Sequence, residues 1–254
     1  MTATVTTDDL VLRALSYQTL AVGYAYPDRA QRDRLRAVVT DTERAAELAG
    51  APHPVDLDPL ARAVTASART EVEADFNRLF SGEVACPPHE TAYEPDIFRR
   101  QRALADIAGF HAAFGFELPD DSRWQVDHLG VELEFCAVLL QRQLVAVEQG
   151  WDAPARVCEE ALVGFLQDHL GRWYAAVAHQ LEHAAATAYY RELARATVAW
   201  LDTELARWRL RPEPLAARPR SLEEDAPPVC GGCPADAATA PASPAVPGPI
   251  PGTG

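Results

Sequence analysis

Three groups of residues in this chain have types and spacings that could do chemistry. The sharpest is HQLEH, His179 to His183. This is the H-x-x-E-H order of inverted zinc peptidases, with two imidazoles one helical turn apart and Glu182 placed to activate a water. That chemistry needs a third protein ligand, and Glu192, Glu204 and Glu213 follow on the next helix and in the tail. The competing reading is a solvated face of an Ala-rich helix whose apolar side is Trp173, Val177 and Leu181. Five-residue patterns arise by chance often enough to favour it. The second group is Cys230-Gly231-Gly232-Cys233, a CxxC spacing suited to metal or thiol redox chemistry. A structural zinc site needs a second such half, and the chain has none, so the pair reads as a spectator. The expected metal content is therefore none, with His179, His183, Cys230 and Cys233 as the residues that would hold one.

The third group is Asp127, His128, Glu132 and Glu134. His128 and Glu132 are four apart and share a helix face, but alone they under-ligate a metal. Asp127 could simply stabilise the positive end of a helix while the glutamates are solvated. Alternatively the cluster is a recognition patch, where carboxylates pair with guanidinium groups of an Arg-bearing peptide laid in a groove. The pattern leaves the last two open. A Gly-rich phosphate loop, a GxSxG elbow and a paired ExxH di-metal motif are all missing.

These residues must be positioned by helices. From Ser122 to Gly150 the apolar residues form two rows, Leu129, Leu133, Cys136, Leu140, Leu144 and Val147 in one, Val131, Phe135, Val138 and Val145 in the other. Two rows predict a central helix with neighbours on most sides. Ser122 and Gln125 suggest a capping box at its start and Gly150 a left-handed stop. Helices are also predicted from Asp8 or Asp9 to Tyr24, Asp28 to Ala49, Pro59 to Phe80 and Ile97 to Leu118, the last with Ile97, Leu104, Ile107, Phe110 and Phe114 on one face. Another starts at Asp152-Ala153-Pro154 with a break at Gly171, and the last spans Ala188 to Leu210. EVACPPHETAYEPD, Glu83 to Asp96, is too proline-rich for a helix and must be a loop. No strand pattern and no internal repeat stand out. From Pro212 the composition turns to Pro, Ala, Gly and Ser, which cannot bury enough apolar surface to offset ordering. The expected organisation is one all-α globular bundle over 1–211 and a disordered tail over 212–254.

Bulk composition narrows the class. The 254 residues are 48% hydrophobic and 24% charged, with a formal net charge of −14 and no lysine. An acidic chain without basic clusters argues against nucleic acid and against anionic membrane surfaces. No apolar run reaches the length of a spanning helix, and the acidic N-terminus lacks the features of a signal peptide. Scattered cysteines do not form a secreted disulfide framework. The expectation is a cytoplasmic protein without membrane insertion.

Several segments together resemble the TorD/DmsD/NarJ family of molybdoenzyme-assembly chaperones. They are ADFNRLFSG (Ala74–Gly82), PPHETAY (Pro87–Tyr93), DHLGVELEF (Asp127–Phe135), FLQDHLGRW (Phe165–Trp173) and AYYRELARATVAWL (Ala188–Leu201). The resemblance covers roughly residues 10 to 210. It implies an all-α fold without catalytic activity or cofactor of its own. The implied partner is the catalytic subunit of a molybdenum oxidoreductase, bound through its N-terminal, often twin-arginine, leader until the cofactor is inserted. It implies peptide contacts at Asp127, His128, Glu90 and Tyr93, and the charge pattern adds Glu132. The departures are Gln125, where the family usually has Pro, and His89, where an aromatic Tyr is common. The expected groove lies between the Glu83–Asp96 loop and the start of the central helix. Two other classes compete: a zinc-dependent hydrolase at His179–His183, and a permanent helical subunit of an oxidoreductase complex.

Overall fold

The computed structural model describes residues 6–50, 53–81, 85–119 and 124–219. Among them nine α-helices carry the fold, and the one extended pairing is a single bridge between His89 and His128. Helix α1 (Thr7–Tyr24) is capped by Thr6, whose hydroxyl accepts from the Asp9 N–H, so Asp8 and Asp9 sit in the first turn rather than at the cap. Helix α2 (Arg29–Leu48) starts at the expected Asp28, which accepts from the Gln31 N–H. The single helix expected from Pro59 to Phe80 is instead two, α3 (Asp58–Ala66) and α4 (Arg69–Phe80). The break holds because Arg32 of α2 donates to the Val64 and Ser67 carbonyls, satisfying acceptors that a continuous helix would have used itself. Helix α5 (Ile97–Ala113) is capped by Asp96, which accepts from the Phe98 and Arg99 N–H groups.

The central helix α6 (Leu129–Glu148) begins later than predicted, after Gln125 rather than before it, and Ser122, the expected cap, lies outside the described residues. Its cap is His128, whose Nδ1 accepts from the Gly130 N–H at 3.0 Å. The preceding backbone is committed elsewhere: Leu129 N–H donates to the Pro88 carbonyl and Glu90 N–H to the Asp127 carbonyl. Gly150 closes the helix at φ +70°, as expected. The two-row reading holds for the first half, where Leu129, Leu133, Phe135, Cys136, Leu139 and Leu140 are all buried. In the second half Val145 and Val147 emerge into solvent, 51% and 38% exposed.

Helix α7 (Asp152–Asp168) is followed by a 3-10 turn at Leu170–Arg172, then α8 (Tyr174–Ala184) and α9 (Ala188–Trp208). Helix α6 packs along α1 on one side and α7 on the other, and α8 pairs with α9. At the crossing of α1 and α9, a Cβ on Gly23 would stand 2.5 Å from the Leu193 side chain, so glycine sets that approach. After α9, Arg209 turns the chain at φ 55°. Residues 211–217, most of them assigned to the tail by composition, pass over the 3-10 turn without regular secondary structure, bend at Ala217 and bond to it. Cys230 and Cys233, and the disorder expected of the rest of the tail, lie outside the described residues.

Candidate functional site: a buried polar latch and an open apolar groove

The proline-rich loop is drawn onto the start of α6 by main-chain bonds and one carboxylate. Asp127, fully buried, accepts from the Thr91 N–H at 3.2 Å and the Thr91 hydroxyl at 2.6 Å, and lies 3.1 Å from His89 Nδ1. Burial alone would raise its pKa, but the His89 ring and the Thr91 donors hold it below the usual carboxylate range. His128 is buried between the rings of Trp124 and His89. Burial, with His89 adding to it, pushes its pKa well below the ordinary imidazole value, so the ring is neutral. Because its Nδ1 accepts from Gly130, a neutral ring carries its proton on Nε2.

A second set of carboxylates lies deeper. Glu132 has no exposed surface and accepts from the Trp173 indole N–H at 3.0 Å. Burial first, and the Glu90 carboxylate next, hold its pKa well above the usual carboxylate value. Glu90 lies 3.2 Å from His169 Nδ1, and His169 Nε2 lies 3.3 Å from the exposed carboxylate of Asp106 on α5. Tyr93, buried, tilts its ring against Trp173 at 5.6 Å between centroids.

The five residues expected to touch a peptide therefore come together, but inside the protein. Asp127, His128, Glu132, Glu90 and Tyr93 are each at most 4% exposed, so the expectation that they line an open cleft is corrected. The space between the loop and the start of α6 is closed by the bonds just described. Buried carboxylates need partners: Asp127 has His89 and Thr91, Glu90 has His169, and Glu132 has the Trp173 indole at one oxygen. Glu134, the fourth acid of the cluster, faces solvent. Sequence reasoning missed Thr91, His169, Asp106 and Trp173 as partners. One signal was available: Asp-His-Leu-Gly occurs at 127–130 and again at 168–171, and both copies feed this network.

The open surface lies at the other end of α6. A groove of about 1060 Å³ runs between the end of α5, the second half of α6 and the start of α7, lined by Phe114, Val138, Val145, Trp151, Pro154 and Val157 among others. Trp151, Val157 and Val145 are 54%, 53% and 51% exposed. Arg142 stands in its wall. An unpartnered apolar surface of this kind marks an interaction site.

The H-x-x-E-H pattern does not assemble a catalytic centre. His179 and His183 are exposed and near each other, but Glu182 is bound to Arg195 at 2.8 Å. Among the described residues no group of three His, Cys, Asp or Glu could hold a metal. No described helix is long and apolar enough to cross a membrane.

Residues 49–179 match the family model described as nitrate reductase delta subunit, a span that contains the whole latch and the groove. The chain is 31% identical over 173 residues to the selenate reductase assembly chaperone protein of Thauera selenatis, covering 66% of this chain and 76% of that protein. A solved structure described as a redox enzyme maturation protein, from Archaeoglobus fulgidus, superposes with a TM-score of 0.48 at 18% identity. That alignment covers 74% of this chain and 93% of the other.

Proposed function

This chain belongs to the nitrate reductase delta subunit family, within the TorD/DmsD/NarJ molybdoenzyme-assembly chaperones, and we propose that it is the dedicated chaperone of one molybdenum oxidoreductase. It binds the N-terminal leader of that enzyme's catalytic subunit, a twin-arginine leader in this reading, and holds the subunit in the cytoplasm until its cofactor is in place. It has no catalytic activity and no cofactor of its own. The observation that carries the reading is the groove beside Trp151. An acidic protein that leaves Trp151, Val145 and Val157 in solvent suits a ligand made of arginines followed by an apolar helix.

In this reading the groove takes the apolar part of the leader and the latch responds to its arginines. Asp127 and Glu90 are the acceptors. A guanidinium reaches Asp127 by replacing His89 and Thr91 when the proline-rich loop lifts, exchanging one set of charge-assisted bonds for another. Glu132, His128 and Tyr93 shape the pocket that the lifted loop uncovers. The Pro87-Pro88 pair keeps that segment extended, so the loop can move as a stiff flap.

The test is a titration of the purified chain with a synthetic leader from the catalytic subunit encoded beside it. Saturable binding that weakens with added salt is the expected result. No binding at any salt concentration ends the proposal. The family's printed description also favours a second reading, a permanent subunit. In that case the chain co-elutes with the mature enzyme, whereas a chaperone is absent from it.

A further inference from the structure

The segment that follows α9 is seated like a bound peptide. Its backbone N–H groups pair with two carbonyls of the helical body: Leu215 with Arg172 at 2.9 Å, and Ala216 with Tyr93 at 3.1 Å. Side chains of the body read its carbonyls in return, Arg172 at Glu213 and Gln180 at Ala217. Leu215 packs, partly buried, against the main core. Pro212 lies over Gly171, where an added Cβ would stand 2.8 Å from the proline ring and 2.2 Å from the Leu166 carbonyl. The track is thus floored by a residue without a side chain and lined by exposed backbone acceptors. This is how a protein binds extended peptides whose sequence it reads at only a few positions.

Two further observations bear on what such a track is for. Its two acceptor carbonyls belong to the turns that carry the latch: Tyr93 closes the turn holding Glu90, and Arg172 belongs to the turn that follows His169. Its occupant is also chemically unlike the rest of the chain. Residues 211–217 read RPEPLAA, with one arginine and one glutamate, and Arg209, Arg218 and Arg220 flank them in the sequence of a protein whose net charge is −14. An arginine-bearing, proline-stiffened segment with one leucine anchor has the composition expected of the ligand, not of the receptor.

We propose that the track beneath residues 211–217 is a docking site for an extended arginine-bearing peptide, held in this structure by the chain's own segment and taken over by the client's leader. The inference rests on the leader-binding reading and adds a site and a mechanism of competition to it. A segment joined directly to the end of α9 at Trp208 is present at high effective concentration, so it keeps weak peptides out. A leader enters only by displacing it. The carbonyls of Tyr93 and Arg172 then pass from one peptide to the other, at the ends of the turns that carry Glu90 and follow His169.

The experiment uses the full chain and two variants. Leu215→Asp removes the apolar anchor, and Ala216→Pro removes one backbone donor without touching a buried side chain. Circular dichroism and thermal melting establish that each remains folded, which the partial exposure of both positions favours. The first probe is a fluorescent peptide of residues 209–219. A segment seated nine-tenths of the time lowers apparent affinity about tenfold, so the variants are expected to bind the probe about tenfold more tightly than the wild type. Equal binding to all three proteins, or none to any, overturns the proposal. The second probe is the unlabelled client leader, expected to displace the first from the variants. A leader that binds the variants but leaves the probe in place overturns the shared track and spares the leader-binding reading. A leader that binds no form sinks that reading and the partner named here, while the first probe still decides whether the track is a peptide site.

Discussion

At its N-terminal end α6 hides charge, and at its C-terminal end it shows grease. Around Leu129 the side chains of Asp127, His128, Glu132 and Glu90 are buried with hydrogen-bond or ion-pair partners. About 24 Å further along the same helix, Val145 and Val147 stand in solvent beside Trp151. Each end inverts the ordinary rule for which residues go inside, and the inversions have different consequences. A buried polar network specifies one arrangement, because each group left without its partner costs more than the pair contributes. An exposed apolar groove contributes nothing to the free chain and is stabilised only when covered. The first end sets the conformation of the loop. The second offers grip.

The largest expected effect comes from breaking the closed end. Asp127→Ala leaves the Thr91 N–H and hydroxyl without their acceptor and is expected to cost about 3 kcal/mol of stability. At about 2–4 °C per kcal/mol for a domain of this size, Tm falls by roughly 6–12 °C. A thermal melt unchanged from wild type would falsify the latch as a structural element. The open end should behave in the opposite way. Trp151→Ala is expected to change stability by no more than about 0.5 kcal/mol yet weaken leader binding by about 2 kcal/mol, roughly thirtyfold. Calorimetric titration beside a melt checks both halves, and a melt that drops while binding holds would reverse the assignment of the two ends.

Acidity probes the closed end more gently. His128 and His111 are held below the ordinary histidine pKa, His111 at about 4 by burial and by His169. Below pH 6.5 the unfolded chain takes up protons that the folded chain refuses. Stability is therefore complete above that pH and falls as pH drops toward the folded values. Asparagine still caps a helix, so His128→Asn should keep the fold and flatten part of that slope. An unchanged pH profile of the urea midpoint would show that His128 titrates freely. The smallest effect is at Glu132, whose raised pKa gives the opposite sign: its stabilising contribution is full below the unfolded carboxylate value and is lost as pH rises through the folded one. Glu132→Gln, which keeps a group able to accept from Trp173, is expected to lie within about 1 kcal/mol of wild type at pH 7 and gain relative to it above that. A loss that grows with pH would mean that Glu132 is ionised in the fold.

Much of the helical framework was legible from residues whose effect is local. Asp28 caps α2 where its side chain can reach an N–H group three residues on, and Gly150 ends α6 where a left-handed residue is needed. The helix break at Ser67 was not legible, because the group that stabilises it is Arg32, more than thirty residues away. The start of α6 was misplaced for the same reason: its entry at Asp127–Leu129 is held by the backbone of Pro88 and Glu90, distant in sequence. The candidate residues were identified correctly as a cluster and wrongly as a surface, since a carboxylate reads as exposed until its partners are known. Residues 211–217 looked like tail because composition does not register backbone donors that find carbonyls on another segment.

The sequence by itself determined that this chain is a bundle of helices, that Asp28 opens one and Gly150 closes another, and which family it belongs to, because periodicity and local motifs act over a few residues. Only the tertiary structure decided that Asp127 and Glu90 face inward, that Val145 and Val147 of α6 face outward, and that the segment after α9 lies in a track. Those outcomes depend on which distant groups meet, since burial and pairing are properties of neighbours in space rather than along the chain.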